Sequence, residues 1–452
     1  MNKTLIICDR VMYGALLGMI FVLPYSLALI EMCQVTMMLA WASKSFLLCK
    51  TPVHQAARTP SFNFSSGMGW SLIAIGLLIV LTVPFSHYPS VSIKKFFTRF
   101  VQQIFLMYLV IEIIRSRRRL YGVLAVLFLT FCFVIIDAMV QLGWGHNIIH
   151  HTPLSFGRVT GPMNHPNDMG TLLVTALPVV LVSIITSRTW IPFLLGSKSP
   201  CEKTSSIGTG IIFLLFLLMV IALGLTSSRG AWVAFAVSMV TLGVYLKSPK
   251  LTALIIVILA VFLWGFGVHC LSTRSDMYSV SLPQGSVIHP SFSNPFGLPG
   301  GYSALGLFMG PSGREFYWNT AIDVFKHYPW FGCGYSAYMQ TLSDLHVGHV
   351  EYPHNSVLHI AAELGAVGLV LYGWFFTALF LQIKNVLRTV SHERDLFLLG
   401  CGLSSGILAW FIHGLMDTAW ASLQLSVLWW LFIGILLSLG FISSNKGEKL
   451  CP

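Results

Sequence analysis

Apolar runs of roughly 20 residues, separated by short polar stretches, recur along almost the whole chain. A helical run of that length crosses a hydrocarbon core about 30 Å thick. Backbone in lipid must pair with itself, so each run is expected to be helical. The pattern predicts twelve spans: about 10–29, 31–49, 68–87, 99–114, 120–141, 168–187, 209–226, 230–246, 252–269, 355–383, 396–418 and 420–441. The first two run nearly together around Pro24 and Glu31. The span from Asn355 is longer than a bilayer needs, which predicts tilt. The expected fold class is an all-α polytopic membrane protein with about twelve transmembrane helices. No small-residue cleavage site follows the first apolar stretch, so no cleavable signal is expected.

Three polar segments share one side of this arrangement. Residues 142–167 and 227–230 interrupt the first nine spans, which fill residues 1–269. A large loop covers 270–354, and the last three spans with a short tail cover 355–452. The loop is rich in Pro and Gly over 282–313, then changes character at Arg314. There REFYWNTAIDVFKHYPWFGCG carries aromatic residues at helical spacing, which predicts an amphipathic helix on the membrane face.

Composition agrees with the pattern: 55% of residues are hydrophobic and 10% charged, against about 25% charged in soluble chains. A net charge of +11 in a soluble protein would suggest nucleic acid. Here it follows the tendency of basic residues to mark cytoplasmic loops, and no nucleic-acid partner is expected. With both termini placed inside, RSRRR at 115–119 is the strongest inner marker. The outer segments keep only Lys94, Lys95, Arg99, Arg158, Arg229, Arg274, Arg314 and Lys326. Lys94, Lys95 and Arg99 can attract lipid phosphates in a general way. None of the nine cysteines forms a C-x-x-C or a zinc spacing; Cys270 and Cys333 share the outer loop, where a disulfide is open to them. No G-x-x-x-x-G-K-[ST], G-x-G-x-x-G after a strand or D-x-D is present. No metal, ATP or other cofactor is therefore expected, and energy would have to come from an activated substrate.

The polar residues that could carry chemistry gather at the outer mouths of the spans. Arg229 lies in a very short turn, SSRG, on the side where positive charge is disfavoured. It is either a snorkelling arginine or part of an anion site, since guanidinium presents a fork of donors that fits phosphate oxygens. Ser227 and Ser228 would add hydroxyls, and Gly230 would let a ligand approach the helix start. Arg158 precedes a polar run of Asn164, His165, Asn167 and Asp168, and Arg314 opens the expected surface helix. Each alone reads as a solvated charge; together they would hold a diphosphate. His354 opens the pattern H-N-x9-G-x-x-G, which ends at Gly365 and Gly368. It is either a capping residue or a base able to take a hydroxyl proton near neutral pH, with Asn355 orienting it or binding substrate. Glu363 lies deeper in the same span and needs a partner, for which His413 and Asp417 are candidates; the alternative is a structural polar cluster.

GRVTGPMNHPND, SSRGAW, REFYWNTAIDVFKHYPWFGCGY and HNSVLHIAAELGAVG, in this order and so separated, resemble the O-antigen ligase/polymerase superfamily. H-N-x9-G-x-x-G at 354–368 looks like the ligase motif in particular. The resemblance covers about residues 155–375. It implies a GT-C-like glycosyltransferase of the bacterial inner membrane, with cytoplasmic termini and a site facing the periplasm. Such ligases act in lipopolysaccharide biosynthesis. They move a polysaccharide from undecaprenyl diphosphate onto a sugar hydroxyl of lipid A–core oligosaccharide, inverting the anomeric centre without metal or ATP. By this likeness His354 would be the base or bind acceptor, Arg229 and Arg314 would grip the diphosphate with Arg158 assisting, and Asn355, Asn164, Asn167 and Ser228 would support substrate. Cys333 stands in FGCG where a small aliphatic residue is more usual. An O-antigen polymerase or a protein O-oligosaccharyltransferase is the alternative within the superfamily. A lipid or polysaccharide transporter is the rival from another class, against which stand the lack of inverted repeats and of paired broken helices.

Overall fold

The computed structural model describes residues 3–49, 66–194, 202–247, 253, 256–257, 314–344 and 351–444. Among these the protein is helical, with two isolated bridges and no strand. Eleven helices are long and apolar enough to cross a membrane. The chain is thus a multi-pass, all-α membrane protein. Apart from residues 253, 256 and 257, the expected span at 252–269 lies outside the described residues, as do residues 282–313, Cys270 and any pairing of Cys270 with Cys333.

The first half comprises α1 (Lys3–Val22), α2 (Leu27–Cys49), α3 (Gly67–Thr82), α4 (Pro89–Lys95), α5 (Gln102–Ile113) and α6 (Arg117–Trp144). The second comprises α7 (Pro166–Leu194), α8 (Glu202–Leu225), α9 (Arg229–Leu246), α10 (Arg314–His327), α11 (Tyr338–Asp344), α12 (Ser356–Thr389), α13 (Arg394–Gly414) and α14 (Leu423–Ser444). Three boundaries correct the sequence expectation. The first span ends at Val22, just before Pro24, rather than near 29, because proline cannot continue the helical hydrogen-bond ladder. The fourth begins at Pro89 rather than 99, with proline at the helix start and a π-helical stretch at Phe96–Val101 joining α4 to α5. Lys94, Lys95 and Arg99 therefore belong to that span's first turns. Finally, α13 stops at Gly414 and α14 starts only at Leu423, so Asp417 lies in a loop and not within a helix.

Close helix crossings set the position of the polar end. A Cβ on Gly406 would overlap the Thr175 carbonyl, and one on Gly402 would sit 2.6 Å from Val182 Cγ2. These two glycines let α13 lie directly on α7, as small residues do wherever lipid offers no hydrophobic drive for association. The α12 helix is broken at Gly365 (φ 67°, ψ −164°). The FGCG turn lies against that break: Cys333 N donates to Ala362 O (2.9 Å) and Gly334 N to Glu363 O (3.1 Å). In return Ala366 N donates to Pro329 O (2.8 Å) and Val367 N to Trp330 O (3.2 Å). Carbonyls freed at the break are thus paired with another backbone segment, as an interrupted membrane helix requires. Cβ atoms at Gly332 or Gly365 would overlap the facing backbone, so both positions need glycine for contact as well as for positive φ.

The amphipathic helix predicted from Arg314 is α10. It turns Ala321 and Val324 inward, onto a small second core with Cys333, Tyr338, Leu342 and Ala362. Its apolar stripe is thus spent on the FGCG turn and α12 and leaves Trp318 partly exposed.

Candidate functional site

Five separate segments meet at one end of the bundle: 158–168, 226–230, the start of α10, 351–356 and the 415–418 loop. Asn355 caps α12, its Oδ1 accepting from Val357 N (2.9 Å) and Leu358 N (3.1 Å) while its Nδ2 donates to Leu415 O (3.1 Å). Ser356 Oγ donates to the Asp417 carbonyl at 3.2 Å. The helix start and the 415–418 loop are thus tied together at two points. That leaves His354 just outside the helix with φ 48°, in the left-handed region, a conformation that costs about 1–2 kcal/mol for a residue with a Cβ. Strain of this kind persists only when the surroundings hold it.

What holds it is a pairing with Asp417. His354 Nδ1 lies 2.8 Å from Asp417 Oδ1, which also accepts from Thr418 N at 2.7 Å. His354 Nε2 points toward Glu351, 3.8 Å away. Tyr317, one turn into α10, sets its ring edge-on to the imidazole at 5.6 Å and hydrogen-bonds Glu351. Burial alone would lower the His354 pKa, but the hydrogen bonds and charges of Asp417 and Glu351 reverse this and raise it to about 9. Burial pushes Asp417 up, and the His354 hydrogen bond and charge outweigh that and hold its carboxyl well below the usual carboxylate range. The resting pair at neutral pH is imidazolium and carboxylate.

A second layer lies beneath. Arg158 is held by neutral groups: its Nε donates to the Thr226 carbonyl (2.7 Å) and Nη2 to Asn167 Oδ1 (2.9 Å). The 158–167 segment is thereby docked on the SSRG turn, where Ser227 takes φ 50°. His165 Nδ1 accepts from Asn167 N at 3.1 Å. Burial lowers the His165 pKa against the opposing pull of Asp417, so this imidazole is neutral beside the charged His354. Thr171 Oγ1 lies 2.7 Å from His413 Nδ1, and Ser228 Oγ lies 3.4 Å from His413 Nε2. Arg314, the first residue of α10, is near enough to act electrostatically on His413. Arg229 and Asn164 are exposed.

The structure therefore brings His354, Arg158, Asn167, Ser228 and Arg314 to one polar end, with Arg229 at its surface. Two expectations are corrected. Glu363 is not partnered by His413 or Asp417: its carboxylate accepts from Ser336 N (2.8 Å) and lies 3.0 Å from His359 Nε2. Its helix turns it toward the FGCG side, away from the His354 end. The space beside Gly230 is not open to a ligand, because an added Cβ would meet Met416 Cβ at 3.0 Å and His413 Cδ2 at 3.2 Å. Asn355 spends its amide on the helix cap and the Leu415 carbonyl, so it acts on His354 through the backbone. Asp417, Glu351 and Tyr317 were missed as members of the site. Only Asp417 left a signal, as an acidic residue four positions past His413 at the mouth of a span.

A His–Asp pair and several arginines thus lie at one mouth of a polytopic helical protein. Residues 214–373 match the family model described as O-antigen ligase. That stretch contains Arg229, Arg314, His354, Glu363 and both glycines of the 365–368 pair, and it supports the O-antigen ligase family assignment for this chain. Members of the family are membrane ligases of the glycosyltransferase kind. No curated protein matches the chain.

Proposed function

We propose that this protein is an O-antigen ligase. It transfers a polysaccharide from undecaprenyl diphosphate to a sugar hydroxyl of lipid A–core oligosaccharide, at the periplasmic face of the inner membrane, with inversion and without metal or ATP. The observation that carries this reading is the His354–Asp417 pair (2.8 Å), set among arginines from three otherwise separate segments.

In this reaction the acceptor hydroxyl oxygen attacks the anomeric carbon, the bond from that carbon to the diphosphate oxygen breaks, and the electron pair leaves with the diphosphate. His354 Nε2 takes the hydroxyl proton, while Asp417 fixes the ring through Nδ1 and stabilises the imidazolium that forms. Because the imidazole titrates near 9, the deprotonated fraction, and with it the rate, rises with pH up to that point. Arg229 and Arg314, with Arg158 behind them, stabilise charge growing on the leaving diphosphate. Arg158 is fixed at this end of the bundle by its bonds to the Thr226 carbonyl and the Asn167 amide.

The test is transfer by purified protein in detergent, with an undecaprenyl-diphosphate-linked glycan and lipid A–core, in EDTA and without ATP. Product from wild type and none from His354→Ala is expected. No product from well-folded wild type would direct the same donor to glycan or protein acceptors, the polymerase and O-oligosaccharyltransferase reactions. A rate that falls between pH 7 and 9 would replace the base by an imidazolium that only binds diphosphate.

A further inference from the structure

A second polar cavity lies behind the His354 segment, and nothing in the reaction above uses it. Its volume is about 80 Å³, with Lys95, Arg99, Tyr335, Tyr352 and Trp420 among its walls. That is room for a small oxyanion and too little for a sugar ring. Arg99 lies in the π-helical stretch at the head of the fourth span, and its Nη1 is buried without a hydrogen-bond partner among the described residues. Lys95 stands four residues earlier on the same wall.

A buried guanidinium nitrogen left unpaired in a membrane helix is costly, and intramembrane charges are kept where they meet a partner or a substrate. The carboxylates nearby do not discharge it. Glu363 also lines the cavity, but it is occupied by Ser336 N and faces His359 at 3.0 Å. Glu31, which acts on Lys95 and Arg99 through space, is exposed on α2. Two cations therefore share the cavity with one carboxylate that is already bonded, and the tyrosines supply neutral donors.

Two segments form walls of both sites. Tyr352 lines the cavity, and His354 follows two residues later. Trp420 lines it too, three residues after Asp417. Two residues of chain span at most about 7 Å, so Tyr352 in the cavity wall and His354 are close neighbours on one segment.

We propose that the Lys95/Arg99 cavity is a second anion site, which seats a phosphate monoester or carboxylate of the lipid-linked acceptor and so places its sugar hydroxyl at His354. This rests on the transferase reading above and names a feature of its acceptor. Acceptor headgroup and bulk phospholipid could both supply such an anion, and the arms of the test separate them.

The first arm measures transfer with a phosphorylated acceptor and its phosphatase-treated form, comparing wild type with Arg99→Gln and Arg99→Lys. Arg99→Gln is expected to raise KM for the phosphorylated acceptor at least tenfold, to leave KM for the donor unchanged, and to lose the difference between the two acceptors. Arg99→Lys should restore part of it. Equal KM increases for both acceptors, or a change confined to donor KM, would overturn the proposal. The second arm needs no transfer: the melting temperature of the full-length protein in nanodiscs is followed with phosphatidic acid or phosphatidylcholine, and with the phosphorylated acceptor added. Stabilisation of wild type but not Arg99→Gln by the acceptor supports the site even if the reaction assigned above is wrong. Stabilisation by phosphatidic acid alone assigns the cavity to bilayer lipid and overturns the acceptor reading. Without ligand, Arg99→Gln should melt at or above the wild-type temperature; a lower value would make Arg99 a structural residue and overturn the proposal.

Discussion

The two ends of the helix bundle are both rich in charge, and they use it in opposite ways. At the RSRRR end, cations meet carboxylates from other helices. Lys44 lies 2.7 Å from Asp9 and 3.0 Å from Glu112. Arg115 also pairs with Glu112, and Arg117 pairs with Glu393. Arg119 donates to the Ile113 carbonyl at 2.9 Å and lies over Tyr13 at 5.5 Å. At the His354 end the carboxylates Asp417 and Glu351 face a histidine, and Arg158 is held by a carbonyl and an amide. One end pairs Lys44, Arg115 and Arg117 with carboxylates and thereby ties α1, α2, α5, α6 and the start of α13 together. The other sets its carboxylates on a histidine and anchors Arg158 on a carbonyl and an amide. Residue type does not separate the two ends; partner identity does.

The comparison predicts that damage at the two ends will be of different kinds. The largest effect is expected from His354→Ala, with transfer falling by about 10²- to 10⁴-fold, the range for loss of a positioned acid–base group. Expression and insertion should change little, while the melting temperature should fall because Asp417 loses its partner. Arg229→Ala and Arg314→Ala should each lose transfer while inserting normally, and full activity in both would end the diphosphate-clamp assignment. Lys44→Ala at the other end should do the reverse. It leaves Asp9 without its partner and Glu112 with Arg115 alone, and should cost about 3 kcal/mol of stability, read as a lower melting temperature, with kcat/KM unchanged where the protein is folded.

Asp417→Asn should move the rising limb of the pH–rate profile from about 9 toward the ordinary imidazole value of about 6.5, together with a loss of kcat. A limb that stays put would place the raised pKa on Glu351 instead. The pair also makes stability depend on pH. The His354 pKa is raised on folding, so its contribution is complete below about 6.5 and is lost as pH rises through about 9. The Asp417 pKa is depressed, so its contribution is present above the ordinary carboxylate range and is lost as pH falls through its folded value. Wild-type melting should therefore show a plateau between these limits that His354→Gln lacks. The smallest effect is expected from Asn355→Ala, about 1 kcal/mol for a lost N-cap, with a drop in kcat because the cap also fixes the His354 backbone.

Much of the fold could be read along the chain. Length and hydropathy placed eleven helices now described, and aromatic residues at helical spacing marked α10. Helix ends were less legible. Pro89 opens the fourth span well before the apolar run becomes continuous, and Gly414 closes α13 while the sequence is still apolar. Of the site, His354, Arg158, Asn167 and Ser228 were visible as polar residues at the mouths of spans. Asp417 was visible only as a charge and was offered to Glu363 as a partner, because the span was read through 418 and Asp417 counted within it, whereas α13 ends at Gly414.

The sequence by itself determined that this is a multi-pass helical protein with its polar chemistry at one end, because a bilayer allows few backbone arrangements and penalises charge wherever it is not used. It also determined that residues 354–368 are special, since histidine, asparagine and two glycines at that spacing are a poor way to build a plain membrane helix. Only the tertiary structure decided what each of them does. Gly365 breaks α12 to receive the FGCG turn, Asn355 caps the helix, and Asp417 reaches His354 across 63 positions of chain. Partnerships of that range depend on how helices cross, and no local pattern encodes a crossing.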